Sequence, residues 1–172
     1  MPKILYFDEV ESTNDILKEM IKQGIESGTV ASAKHQTKGR GQYGRVWFSA
    51  DGALAFSIAL KYDYIPENFT VRVGECVADT ISEKCGFKPD NMRIKLPNDI
   101  LINNKKVFGI LTEAQTLNST TWIVCGIGIN VNTKTIPSEV TDIATSIFLE
   151  TKKELDLNEL MLAICERVSD IK

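Results

Sequence analysis

The segment from Asp99 to Asn132, "DILINNKKVFGILTEAQTLNSTTWIVCGIGINVN", restricts the fold more than any other part of the chain. It opens as a β-hairpin whose turn is Asn103-Asn104, residues that tolerate the left-handed backbone a tight hairpin needs. "LNS", residues 117–119, then turns the chain into a further long strand, "TTWIVCGIGINVN". Such a strand-rich meander needs a sheet to belong to. "TVASAKH" (29–35), the continuous apolar run "ALAFSIAL" (53–60) and the short "MRIKL" (92–96) supply it, the second as a buried strand. Helices flank these strands. "STNDILKEMIKQG" begins on capping residues, carries Ile16, Leu17, Met20 and Ile21 at helical spacing and stops at Gly24. "VRVGECVADTISEKCG" aligns Val73, Val77, Ile81 and Cys85 on one stripe and ends at Gly86. A final helix starts at Asp156, with Glu159 at capping-box spacing and Leu160, Met161, Ile164 and Val168 as its buried face. The order is helix, strands, helix, meander, helix. That is an α+β fold with a mixed, largely antiparallel sheet.

At 172 residues, with no repeat, low-complexity tract or Pro/Gly/Ser linker, the chain reads as a single domain, 1–172. A net charge of −3 and a pI near 5.3 argue against a general nucleic-acid binder. No apolar run is long enough for a membrane span, and acids sit where a signal peptide has its apolar stretch. Cys76, Cys85, Cys125 and Cys165 are far apart and form no CxxC, so they read as reduced, buried thiols of a cytoplasmic protein. His35 is the single histidine, which argues against zinc, and no metal ligand is assigned.

Against this acidic background, "QTKGRGQYGRVW" (36–47) stands out. From residue 27 to residue 50 there is no acid, and Lys34, Lys38, Arg40 and Arg45 give the segment +4. Gly39, Gly41 and Gly44 let backbone N–H groups approach an anion, and the arginines add forked donors for phosphate or carboxylate. The spacing matches neither the P-loop nor the dinucleotide fingerprint, and a mobile surface hairpin with solvated arginines accounts for it equally well. Two other stretches raise the same kind of question. In "KLPNDILINNKK", Lys95 precedes a corner in which Pro97 fixes the turn, while Asn98 and Asp99 can cap backbone or read a ligand edge. Hairpin lysines are usually solvated, which suits Lys105 better than Lys106, and Gly109 leaves room for something to approach the strand. In "GIGINVN" (126–132), two strand glycines followed by two asparagines fit either a ligand lying on the backbone or a bulge with turn asparagines.

"ESTN", "QTKGRGQYGRVWFS", "KLPNDILINNKKVFGILTE" and "GIGINVN", in this order and at these spacings, resemble the catalytic domain of biotin–protein ligases, also called biotin–[acetyl-CoA carboxylase] ligases. The likeness runs from about Phe7 to the final helix. It implies a fold similar to the class II aminoacyl-tRNA synthetase core, a mixed sheet with helices on one face. It implies ATP-dependent, AMP-forming activation of biotin to biotinyl-AMP, then transfer of biotin to a lysine of a carboxylase carrier domain. Magnesium would accompany the ATP, and no prosthetic group is expected. Matched position by position, Ser12, Thr13, Asn14, Gln36 and Ser57 would hold the ureido ring of biotin. Gly39 and Arg40 would close over its chain and the phosphate, with Gly109 beside it. Arg45, Trp47, Lys95, Asn98 and Asn130 would line the adenylate, Trp47 by stacking on adenine. Lys106 would stand beside the biotin carboxylate and the α-phosphate, sharing the catalytic role with Arg40.

Two positions depart from the family pattern. Gln42 stands where arginine is usual, which weakens the expected hold on the intermediate, and Leu96 stands where tryptophan is usual. The resemblance is to the catalytic domain alone, so neither an N-terminal helix-turn-helix nor a small C-terminal β domain is expected, and DNA and membrane are not expected partners. Expected partners are biotin, ATP and a biotin carboxyl carrier protein domain, with a homodimer left open. Two other readings compete: a non-catalytic biotin-binding module, and a lipoate or octanoate transferase on the same fold.

Overall fold

The computed structural model describes residues 2–87, 91–96 and 98–172. Seven strands form one sheet: β1 (Ile4–Val10), β2 (Thr29–Gln36), β3 (Leu54–Tyr62), β4 (Met92–Lys95), β5 (Asp99–Ile102), β6 (Lys105–Leu117) and β7 (Thr120–Ile129). Their spatial order is β1-β2-β3-β7-β6-β5-β4. Only the β1–β2 pair is parallel among the described residues. The meander folds as its turn residues require. Asn103 and Asn104 both take left-handed backbone, with φ of 50° and 66°, and so do Asn118 and Ser119 at the next turn. The turn role expected of Pro97 falls outside the described residues.

Side chains alternate across a sheet, so each strand offers two faces. On one face Leu54, Phe56, Ile58 and Leu60 of β3 and Ile123, Cys125, Ile127 and Ile129 of β7 meet helices α2 (Phe69–Cys85) and α4 (Leu157–Ser169) in the main core. The stripe of Val73, Val77 and Ile81 on α2 is fully buried there, as are Leu160, Met161, Ile164 and Val168 on α4. Asp156 caps α4 by accepting from the amides of Asn158 and Glu159. On the other face, helix α1 (Thr13–Lys22) packs Leu17 and Ile21 against Ala31, Ala59, Trp122 and Val124.

Helices on one face therefore describes α2 and α4 but not α1. The physical reason is visible in "ALAFSIAL". A strand apolar at both parities must be covered on both sides. Two elements lie beyond the expected order. β1 is an edge strand whose exposed acids interrupt its apolar pattern. α3 (Ile147–Thr151) is a single short turn capped by Ser146, whose hydroxyl accepts from the Leu149 amide.

Candidate functional site

The α1 helix covers only part of its face of the sheet. Beyond its N-terminus the floor that α1 leaves uncovered is built from Ser57 on β3, Gly109 and Leu111 on β6, and Gly126 and Gly128 on β7, which neighbour one another through the β3–β7 and β7–β6 pairings. The glycines are needed for room. A Cβ at Gly126 would collide with the Asn14 side-chain oxygen, and one at Gly128 would enter the indole of Trp47. Trp47 lies on this floor as the last residue of the glycine loop. The loop is a closed hairpin: the Trp47 amide donates to Gly39 O at 2.9 Å, and the Gly41 amide to Arg45 O at 2.7 Å. Gly39 is tightly enclosed, since a Cβ there would lie 2.6 Å from Trp47 O. Tyr43 sits at the outer turn with φ of 59° and is 86% exposed, with Arg45 over its ring at 5.8 Å.

Trp47 divides the site. On one side is a cavity of about 40 Å³ lined by Ser12, Thr13, Asn14, Gln36, Arg40, Asn98 and Gly109, with Trp47 and Lys106 at its wall. That is far below the ~300–1,000 Å³ usual for small-molecule sites, so a ligand enters only if Trp47 and the loop move. On the other side is an opening of about 430 Å³ lined by Arg45, Lys95, Asp99 and Asn130, again with Trp47 and Lys106 at its wall. Lys106 and Trp47 are common to both.

The smaller cavity has a polar end. Gln36 accepts from the Thr13 amide at 2.8 Å, the Thr13 and Ser57 hydroxyls lie 2.6 Å apart, and the Ser57 hydroxyl donates to the Asn14 side-chain oxygen at 2.5 Å. Ser57 lies fully buried beneath the pair. Ser12 is the N-cap residue of α1, yet its hydroxyl makes no cap bond. Asn98 donates from its amide to Ile110 O at 3.0 Å, and Asn130 to Thr145 O at 3.0 Å, so both are tied to backbone carbonyls while bordering their cavities.

Two of the three loop cations, Lys38 and Arg40, are paired with carboxylates. Arg40 makes a two-pronged pair with Asp15 at 2.6 and 2.7 Å, and its guanidinium lies 3.7 Å from Glu113. Lys18 bridges Asp15 and Glu113 at 2.9 Å each. Lys34 and Lys38 pair outward with Asp8 and Glu11. The Arg40 hydrogen bonds hold the Asp15 carboxyl down at about 2, against burial. Burial alone would push Glu113 up, but hydrogen bonds from Lys18 and Asn14 and the Arg40 charge outweigh it and set Glu113 below the usual carboxylate range. The Lys106 ammonium lies 2.6 Å from Asp99 Oδ1, a charge contact rather than a directed hydrogen bond, and 5.7 Å from the centroid of the Trp47 ring.

Most of the expected residues therefore converge on one place, with their division altered. Arg40 borders the smaller cavity and not the larger one, Asn98 likewise, and Gln42 lines neither. The acids that answer the loop were not singled out by sequence. Asp15 and Glu113 come from α1 and β6, distant in the chain, and only the i,i+3 spacing of Asp15 and Lys18 gave any sign of them. Among the described residues, no group of three or more His, Cys, Asp or Glu is placed to hold a metal ion.

The family model for biotin/lipoate A/B protein ligases matches residues 6–130. The chain belongs to that family. It is 36% identical over 179 residues to the bifunctional ligase/repressor BirA of Bacillus subtilis, covering 97% of this chain and 54% of BirA. It is 32% identical over 142 residues to the biotin–[acetyl-CoA-carboxylase] ligase of Mycobacterium tuberculosis, covering 79% of this chain and 51% of that protein. The chain thus spans about half the length of these curated relatives. Among solved structures it is similar to the biotin protein ligase of Aquifex aeolicus in complex with biotin and ATP, with a TM-score of 0.84 at 34% identity, over 98% of this chain and 69% of that one. The mixed sheet is therefore that of the biotin ligases, and no described helix is long and apolar enough to cross a membrane.

Proposed function

We propose that this chain activates biotin with ATP and passes it to a lysine of a carboxylase carrier domain. The observation that carries the reading is the shared wall: Lys106 and Trp47 border both a small cavity with a hydrogen-bonding end and a larger, more open cavity. The ureido ring is placed at Thr13, Asn14, Gln36 and Ser57, with its valeryl chain running over Gly109 and Gly128. The adenylate occupies the larger cavity beside Arg45, Lys95 and Asn130, once Trp47 leaves the floor to stack on the base. This puts the biotin carboxylate and the α-phosphate together at the Lys106 ammonium. A carboxylate oxygen attacks the α-phosphorus and pyrophosphate leaves. The carrier lysine amine then attacks the anhydride carbonyl and AMP leaves.

Both reactants of the first step are anions, so cations that offset their repulsion lower the barrier, and Lys106 and Arg40 take that role. Each is already matched to a carboxylate, Asp99 and Asp15. Substrate anions therefore replace internal ones, and each half-buried cation keeps a counter-charge throughout. Loop closure keeps water from the anhydride. Magnesium fits as an ion carried in by the triphosphate: among the described residues Asp99 is the one carboxylate lining the larger cavity, and magnesium is commonly held by one or two carboxylates plus phosphates. When bound it neutralises phosphate charge.

The test is incubation with biotin and ATP, read as pyrophosphate release, with lipoate and octanoate as comparison acids and a biotin carboxyl carrier domain added last. Pyrophosphate with biotin alone, followed by carrier labelling, is the expected result. Binding of biotin without pyrophosphate release would leave a binding module instead, and release with octanoate in preference to biotin would leave a lipoyl-type enzyme.

A further inference from the structure

Glu113 stands outside the cavity, yet its carboxylate touches the residue that defines the polar end. Asn14 is almost fully buried, and its amide nitrogen donates to Glu113 Oε2 at 2.7 Å and to Leu111 O at 3.3 Å. Both partners are pure acceptors, so a flipped amide would set its oxygen against a carboxylate and a carbonyl. The Asn14 oxygen is thereby turned towards Ser57 and the floor at Gly126.

The hydrogens of the neighbouring hydroxyls then have one arrangement. Ser57 and Thr13 own a single hydroxyl hydrogen each, while three close contacts connect Asn14, Ser57, Thr13 and Gln36. Asn14 presents an acceptor, so Ser57 spends its hydrogen there at 2.5 Å. The 2.6 Å contact between the hydroxyls then requires Thr13 to donate to Ser57. Gln36 Oε1 needs nothing from that hydroxyl, because the Thr13 backbone amide already serves it at 2.8 Å, better than the 3.1 Å side-chain contact. Hydrogens run from Thr13 to Ser57 to Asn14, which leaves the Thr13 oxygen as an acceptor on a residue that lines the cavity. The same bond that fixes Gln36 Oε1 turns its amide nitrogen the other way, as a donor.

We propose that Glu113 is a positioning residue that sets the polarity of this hydroxyl relay, so that the cavity end accepts hydrogen bonds from ring N–H groups. The inference rests on the biotin-activating reading and deepens it. It assigns the preference for a cyclic urea, which owns N–H donors, over a dithiolane or a plain alkyl end, which own none. Without Glu113 only the longer contact to Leu111 O at 3.3 Å still holds the Asn14 amide; when the amide turns over, its nitrogen meets Ser57, and the relay reverses to present hydrogens to a ligand that also presents hydrogens.

The test compares wild type, Glu113→Gln and Lys18→Met in pyrophosphate release, together with direct calorimetric titration of biotin. Lys18→Met removes the neighbouring ion pairs to Glu113 and Asp15, each at 2.9 Å, and leaves the Asn14 contact untouched. For Glu113→Gln the expected result is a rise of at least about tenfold in the KM and Kd for biotin, because a site built for a ligand's hydrogen bond loses heavily when that bond is mismatched. The KM for ATP and the thermal midpoint stay close to wild type. Lys18→Met leaves the biotin constants within about twofold, the scatter of a partly exposed ion pair. Equal losses for biotin and ATP, an unchanged biotin constant in Glu113→Gln, or a matching loss in Lys18→Met would each overturn the proposal. Absence of any biotin-dependent pyrophosphate in wild type would instead count against the ligase reading, while the titration would still decide the role of Glu113.

Discussion

The Lys106 ammonium has an acid on one side and an aromatic face on the other, and nothing of the core depends on it. Its side chain crosses the outer surface of Gly109, where a Cβ would lie 3.1 Å from the ammonium nitrogen. Lys106→Ala therefore leaves folding near wild type and removes the cation at the junction of the cavities. The expected loss in biotin-dependent pyrophosphate release is roughly 10²-fold or more, and release near the wild-type rate would remove Lys106 from the reaction. The Arg40–Asp15 pair makes a different prediction. Asp15 falls from an ordinary 3.8 to about 2 in the folded protein. A depressed carboxyl stabilises the fold above its unfolded value, and that contribution is lost as pH drops through the folded one. The pair's hold on the loop therefore weakens from about pH 4 downward and is lost as pH falls through about 2. The Arg40 side-chain N–H resonance should move across that window in wild type and sit at its released position in Asp15→Asn already at pH 7. A resonance that ignores both the acid and the substitution would mean the pair does not form in solution.

At the scale of elements, the strands and helices with strong local signals were legible and the weakly signalled ones were not. The meander, α2 and α4 carry turn residues, stripes and caps that act within a few residues of one another. β1 carries acids at its exposed edge, and its place is decided by parallel pairing with β2, a long-range contact. The glycine loop was recognisable by charge, but its resting position was not, because that depends on glycines in two other strands. Trp47 rests where Gly109 and Gly128 leave the floor bare. Gly128→Ala puts a methyl into that indole while β7 keeps its ladder, so the expected effect is to lift Trp47 away from the sheet. Of the two tryptophans, Trp122 lies under α1 and serves as an internal reference. Gly128→Ala should show red-shifted emission and stronger acrylamide quenching with a near-normal thermal midpoint. Emission identical to wild type would show that Trp47 does not occupy the floor.

Across the whole molecule, the two faces of the sheet carry different tasks. One is a continuous apolar layer under α2 and α4, and the other is shared between α1 and the site. Continuous apolar strands already demanded two covered faces, but which helix took which face depended on long-range packing that no local pattern records. Nor could sequence spacing bring Asp15 or Glu113 to Arg40, since charge pairs across a fold are set by three-dimensional register. The division makes stability and substrate binding separable, and the buried thiols allow the first to be read. Cys125 and Cys165 lie within the main core, and burial pushes both thiols up to about 12. They react with an alkylating agent only when the core opens. Ile164 is fully buried beside Cys165 on α4, on the face opposite the site. Ile164→Ala leaves a cavity and should cost about 2–5 kcal/mol, raising the unfolded fraction roughly 30-fold or more. Alkylation of both cysteines, followed peptide by peptide in mass spectrometry, should accelerate by the same factor as the measured loss of stability, with the biotin KM within about twofold of wild type because Ile164 lines neither cavity. Faster labelling of Cys165 alone would show α4 detaching by itself, and a raised biotin KM would show that the two faces are coupled.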